Sequence, residues 1–122
     1  MEDSHIAIQN LPGNVSVFGV FDGHGGAEVA LYVKKHFIIE LKANANFSSK
    51  NYEKALYETF FRMDEKMLSP EGQKEISSYM ERSVDESMAG CTANVVLITE
   101  TEIYCANAGD SRSIIKFGSV KL

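Results

Sequence analysis

The sequence predicts an α+β fold, an antiparallel β-sandwich flanked by helices and incomplete in itself. Three observations carry that expectation. Strand-like segments occupy the two ends of the chain, helix-like segments sit together between them, and the strand-like segments on each side are joined by short turns. The order β-β-α-α-β-β-β separates strands from helices, which disfavours a parallel, doubly wound sheet.

The first pair of strands is a hairpin. His5 to Asn10 alternates loosely, Leu11-Pro12-Gly13-Asn14 interrupts, and Val15 to Phe21 is apolar and rich in β-branched residues. Pro12 supplies the fixed φ of the first central position of a type II turn, and Gly13 the positive φ of the second.

From Gly26 the hydrophobic period changes from two to nearly four. Ala30, Val33, Phe37 and Leu41 fall on one helical face, whereas Glu28, Lys35 and Lys42 share another. Asn44 to Lys50 is polar and reads as a loop. Tyr52, Leu56, Phe60, Met63 and Met67 then recur at helical spacing, and this second helix is expected to stop near Ser69-Pro70, because the residue before a proline is biased out of the helical region. Glu71 to Glu86 is charged with few apolar anchors, consistent with a short helix and then a mobile connection. Thr92 to Thr99, Glu102 to Asn107 and Arg112 to Phe117 are β-rich and separated by short turns, which predicts an antiparallel meander.

Composition bounds the function. The chain has 122 residues, enough for one core of ordinary size, and 44% hydrophobic with 24% charged residues is the balance of a globular protein rather than a disordered one. A net charge of −5 removes the general attraction to a phosphate backbone, so nucleic acid is not the expected partner. No apolar run approaches the roughly 20 residues of a membrane span, and the acidic first residues do not resemble a signal peptide. The expected setting is intracellular, cytoplasmic or nuclear. Cys91 and Cys105 lack the spacing of a redox or zinc motif and read as small buried hydrophobes.

Chemistry concentrates where Phe18-Gly19-Val20-Phe21 runs into Asp22-Gly23-His24-Gly25-Gly26. A strand there ends in a carboxylate, an imidazole and three glycines, a corner that exposes polar groups on a rigid support. A dinucleotide fingerprint fails, since Glu28 occupies the position of its third glycine, and an esterase reading fails for want of a Gly-x-Ser-x-Gly elbow. Glu2 and Asp3 precede the first strand, and Asp110 lies at the turn between the last two. If those ends meet, four acidic groups converge without an obvious cationic side chain. Their repulsion favours a bound cation, and oxygen donors favour Mg²⁺ or Mn²⁺ over zinc. Separate, solvated turn residues are the competing reading.

Four blocks, in order along the chain, resemble one family. They are Met1-Glu2-Asp3-Ser4-His5, Val17-Phe18-Gly19-Val20-Phe21-Asp22-Gly23-His24-Gly25-Gly26, Gly90-Cys91-Thr92-Ala93 and Ala106-Asn107-Ala108-Gly109-Asp110-Ser111-Arg112. The family is the type 2C metal-dependent serine/threonine protein phosphatases. The resemblance implies a two-sheet sandwich with a pair of Mg²⁺ or Mn²⁺ ions at one end, and phosphorylated proteins as substrates. Asp22 would bridge the ions, Gly23 would offer its carbonyl to one, and Glu2 would reach that ion through coordinated water. Asp110 matches a position associated with a further, weaker metal, and Asp3 would support the site. Hydrolysis would use a water activated by the metals, with His24 as proton donor to the leaving alkoxide.

The family's domain is longer than this chain, and its later strands supply further aspartates, while a phosphate-binding arginine precedes its first block. Residues 1–122 therefore read as the amino-terminal portion of a catalytic domain. The chain alone is expected to bind Mg²⁺ weakly, to turn over little substrate, and to self-associate through exposed sheet edges. The alternative expectation is a catalytically impaired fragment that binds phosphoproteins or another partner.

Overall fold

The computed structural model describes residues 2–80 and 89–116. It has the α+β architecture: an antiparallel sheet with helices against one face. Strand β1 (Asp3–Leu11) pairs with β2 (Val15–His24). Four helices follow, α1 (Glu28–Ala43), α2 (Ala45–Ser48), α3 (Tyr52–Leu68) and α4 (Pro70–Ser78). The chain then returns as β3 (Gly90–Cys91), β4 (Ala93–Ile98) and β5 (Ile103–Ala108). The strand order is β1-β2-β4-β5, with the two-residue β3 also pairing with β2, and these form one sheet among the described residues.

The hairpin folds as its turn chemistry dictates. Gly13 takes φ +86°, and Asn14 follows with φ 56°, so the loop closes with one residue more in the left-handed region than a simple type II turn has. Asn10 is also left-handed, at the irregularity between Ile8 and Leu11 that lets Leu11 pair with Val15.

One face of the sheet is packed and the other open. Val15, Val17 and Phe21 of β2 and Val95 and Leu97 of β4 are fully buried beneath the helices. The alternate residues Phe18, Val20 and Ile98 point the other way and remain exposed, as does Ile103 of β5. The α1 stripe of Ala30, Val33, Phe37 and Leu41 faces the sheet as its period predicts. The Phe37 ring sits 5.9 Å from Phe21 and 5.8 Å, edge-on, from Phe60, tying sheet, α1 and α3 into one core.

Ser69 divides α3 from α4. Its N–H closes α3 on the carbonyls of Glu65 and Lys66, its Oγ accepts from the Gly72 N–H at 3.0 Å, and Pro70 opens α4 where no N–H is needed. The expected helix end is therefore also a helix start.

Several expectations need correction. Asn44 to Lys50 contains the helix α2, because the Asn44 side chain caps it by accepting from the Asn46 N–H. Residues 112–116 form no strand, since no neighbouring strand among the described residues pairs with them, and Phe117 lies outside those residues. Strand β3 escaped notice because two residues carry no period. Asp3 lies within β1 rather than before it, and Asp22 to His24 continue β2 rather than leave it. Residues 81–88, read as part of a mobile connection, lie outside the described residues. Glu28 is buried, unlike its expected partners on the solvent face. Cys105 is exposed on the open sheet face and Cys91 half-buried, so the pair does not share a core environment.

Candidate metal centre

The end of the sheet where β1 starts and β2 finishes collects the acidic residues. Antiparallel register sets Asp3 opposite Asp22, and the N–H of Gly23 donates to the carbonyl of Glu2 at 3.2 Å. Asp3 is thus the cross-strand neighbour of Asp22, and Glu2 that of Gly23. Alternation along β2 buries Phe21 and Gly23 and turns Asp22 and His24 outward on the open face. The Glu2 main chain crosses so close to Gly23 that a Cβ there would lie 2.4 Å from its carbonyl oxygen. Only glycine lets the two strands approach this far.

The third block closes the corner from the other side. The Thr92 N–H donates to the Asp22 carbonyl at 2.9 Å, and β3 pairs Cys91 with Gly23 and Gly90 with His24. The His24 ring lies over Gly90, where a Cβ would fall 2.6 Å from Nε2. Beyond His24, Gly25 (φ 73°) and Gly26 (φ 145°) turn the chain into α1.

The electrostatics of Asp22 show that the carboxylates feel one another. Its carboxyl is held above the ordinary aspartate range, first by a hydrogen bond shared with Asp3 and the Asp3 charge, then by partial desolvation, then by Asp110 and Glu2. Cys91 sits nearby with its thiol pushed up to about 11, by burial first and by Asp64 and Asp22 next. It is a protonated thiol at neutral pH, not a nucleophile.

The sequence-predicted residues Glu2, Asp3, Asp22, Gly23 and His24 thus share one corner, and Asp110, at the end of β5, is near enough to act on Asp22. Apart from the His24 imidazole, the donors are oxygens of the kind that hard divalent cations take, and the repulsion among the carboxylates is what a cation would relieve. The set is not a finished cage. Among the described residues, no three acidic, histidine or cysteine side chains converge as a ready-made cation site.

Sequence reasoning missed the polar residues around Asp110. Thr92 Oγ1 is hydrogen-bonded to Ser111 Oγ at 2.9 Å, Asn94 Nδ2 donates to Asn107 Oδ1 at 2.8 Å, and Asn107 Nδ2 donates to the Gly109 carbonyl at 3.0 Å. A polar Asn94 second in an otherwise apolar Ala93–Ile98 run was the available signal.

The family model for protein phosphatase 2C matches residues 1–118. Protein phosphatase 2C 1 of Paramecium tetraurelia is 58% identical over 115 residues, covering 94% of this chain and 38% of that protein. Probable protein phosphatase 2C 3 of the same organism is 57% identical over 115 residues, with the same 94% and 38% coverage. Protein phosphatase 2C homolog 2 of Schizosaccharomyces pombe is 38% identical over 122 residues, covering 94% of this chain and 30% of its own. The chain spans about two fifths of the length of the Paramecium relatives it matches.

Proposed function

This chain belongs to the protein phosphatase 2C family, and from that premise we propose that it forms part of an enzyme hydrolysing phosphoserine and phosphothreonine in proteins with the help of divalent cations. The observation that carries the proposal is the gathering of Glu2, Asp3, Asp22 and Asp110, separated by up to 108 positions, at one end of the sheet, where three of them raise the pKa of the fourth.

Asp22, Glu2, Asp110 and the Gly23 carbonyl are the groups proposed to hold Mg²⁺ or Mn²⁺. When bound, the cations offset charge on the phosphoryl oxygens and make water nucleophilic near neutral pH. Asp3 fixes the orientation of Asp22 across the strand pair. His24 stands two residues beyond Asp22 on the same exposed face and donates a proton to the seryl or threonyl oxygen as its bond to phosphorus breaks. A side chain at position 90 would collide with the His24 ring, so Gly90 lets the ring keep its place. The acidic surface argues against nucleic acid as partner. Two unbridged cysteines fit a reducing, intracellular setting, cytoplasmic or nuclear.

The second reading, a catalytically impaired fragment that binds phosphoproteins or another partner, is supported by the lack of a three-ligand cage among the described residues. One experiment separates the two: phosphopeptide turnover with Mn²⁺ by this chain, and by this chain joined to the remaining length of a Paramecium relative. The joined form is expected to turn over substrate only with metal, the short form far less. In the joined form, Asp22→Asn should lower kcat about 100-fold or more, as loss of a directly bound carboxylate does. His24→Gln should slow phosphopeptides more than an aryl phosphate with a good leaving group. Metal-independent turnover equal in Asp22→Asn would overturn the hydrolytic reading, and tight phosphopeptide binding without turnover would establish the second.

A further inference from the structure

Asp110 is carried by a turn that belongs to no strand or helix. Residues 109–113 follow β5 as an irregular segment, begun by Gly109 with φ +110°. A segment without a ladder has few backbone partners, so something else must hold a carboxylate that acts on Asp22 from it.

The holding groups come from β4 and β5. Asn94 points to the open face of β4, where its neighbours Phe18, Val20 and Ile98 are exposed, yet it is only 7% exposed itself. Its amide is covered because both ends are bonded. Nδ2 donates to Asn107 Oδ1 at 2.8 Å, and Oδ1 accepts from the Ser113 hydroxyl. Asn107, opposite Asn94 in the register, passes the connection on by donating to the Gly109 carbonyl at 3.0 Å. Asn94 therefore grips the turn on both sides of Asp110, at Gly109 through Asn107 and at Ser113 directly. Thr92 adds a third grip through its hydroxyl to Ser111, and its side chain packs so closely on Gly109 that a Cβ there would meet it at 2.7 Å.

We propose that Asn94 is a positioning residue for the Asp110 turn, the hub of a polar clamp with Asn107 and Ser113 that sets where the Asp110 carboxylate stands relative to Asp22. This rests on the reading of Asp110 as a carboxylate of the metal site. A valine at position 94 would suit strand propensity and the apolar face better. An asparagine there sacrifices sheet packing for two hydrogen bonds to one turn, and a buried amide with both ends satisfied fixes a single geometry.

The test is backbone ¹⁵N relaxation on the metal-free chain, followed by Mn²⁺-induced line broadening in the same samples. Asn94→Val and Ser113→Ala are each expected to lower the order parameters of residues 109–113 to below about 0.6, with β1 and β2 unchanged, whereas Ser113→Thr, which keeps the hydroxyl, should not. Ser113 lies outside the strands, so Ser113→Ala remains informative should Asn94→Val disturb the fold. With Mn²⁺, the native chain should show broadening at Asp22, Gly23 and Asp110, and Ser113→Ala should lose it at Asp110 while keeping it at Asp22. Unchanged order parameters at 109–113 in both Asn94→Val and Ser113→Ala would overturn the clamp. Lower order parameters with equal broadening at Asp110 in Ser113→Ala would reduce Asn94 to a structural role and overturn the positioning proposal. No broadening at any carboxylate of the native chain would instead overturn the metal reading, and with it the purpose given to the clamp.

Discussion

Asp22 concentrates the cost of this site in one side chain. Because its folded-state pKa is raised, its protonated form stabilises the fold below the ordinary aspartate value of 3.8, and that contribution is lost as pH rises through the folded value. Asp22→Asn removes the charge without changing shape. It should therefore melt at a higher temperature than the native chain at pH 7, with the difference closing near pH 3, as thermal denaturation at the two pH values would show. Adding Mn²⁺ at pH 7 should raise the melting temperature of the native chain and not that of Asp22→Asn. The residue types were legible in the sequence, since Asp-Gly-His-Gly-Gly after an apolar run marks a polar corner. Their neighbours were not. That Glu2 lies against Gly23 depends on strand register, and register follows from the turn and the bulge at Ile8 to Leu11, which shift it by amounts no local pattern states.

Among the elements, α3 and α4 meet at a tight corner. The backbone at Gly72 passes so near the end of α3 that a Cβ would fall 1.9 Å from the Lys66 carbonyl oxygen, an overlap with main chain that no rotamer relieves. Gly72→Ala should cost about 1–3 kcal/mol or more in urea unfolding, as overpacking does, by pushing α4 off α3. The docking of α4 has polar support on its other side: the His36 ring is hydrogen-bonded to Glu75 at 2.6 Å, and Tyr79 donates to the same carboxylate at 3.0 Å. Burial pushes the Glu75 carboxyl up, but the His36 and Tyr79 hydrogen bonds outweigh it and hold the group below its usual range. The long helices were readable because a stripe such as Ala30, Val33, Phe37 and Leu41 repeats through four turns. Helix α2 and strand β3 were not, since a four-residue helix rests on one cap and a two-residue strand on its partner.

For the whole molecule, the decisive feature among the described residues is a sheet with one face packed and one bare. Phe18, Val20, Ile98 and Ile103 leave apolar surface on or beside the open side, and β5 is an edge strand among the described residues whose Ile103–Ala108 run carries neither charge nor proline. Natural edges are guarded by such residues, and β1, the opposite edge, has Asp3, His5 and its irregular register. The isolated chain should therefore self-associate as its concentration rises, as light scattering would report, and Val20→Thr with Ile103→Lys should shift it towards monomer. A native chain monomeric at every concentration where the double variant is monomeric would contradict this.

The sequence by itself determined the α+β class, the hairpin, the two long helices and the list of oxygen donors, because each is written in a local period, a turn dipeptide or a residue type. The tertiary structure alone decided that Asp3 faces Asp22 with Glu2 against Gly23 and Asp110 near enough to act on Asp22, that residues 112–116 do not pair as a strand with any described residue, and that Asn94 holds both flanks of Asp110. Those facts depend on contacts between residues far apart in the chain, and such contacts are chosen by how the whole sheet and its helices pack.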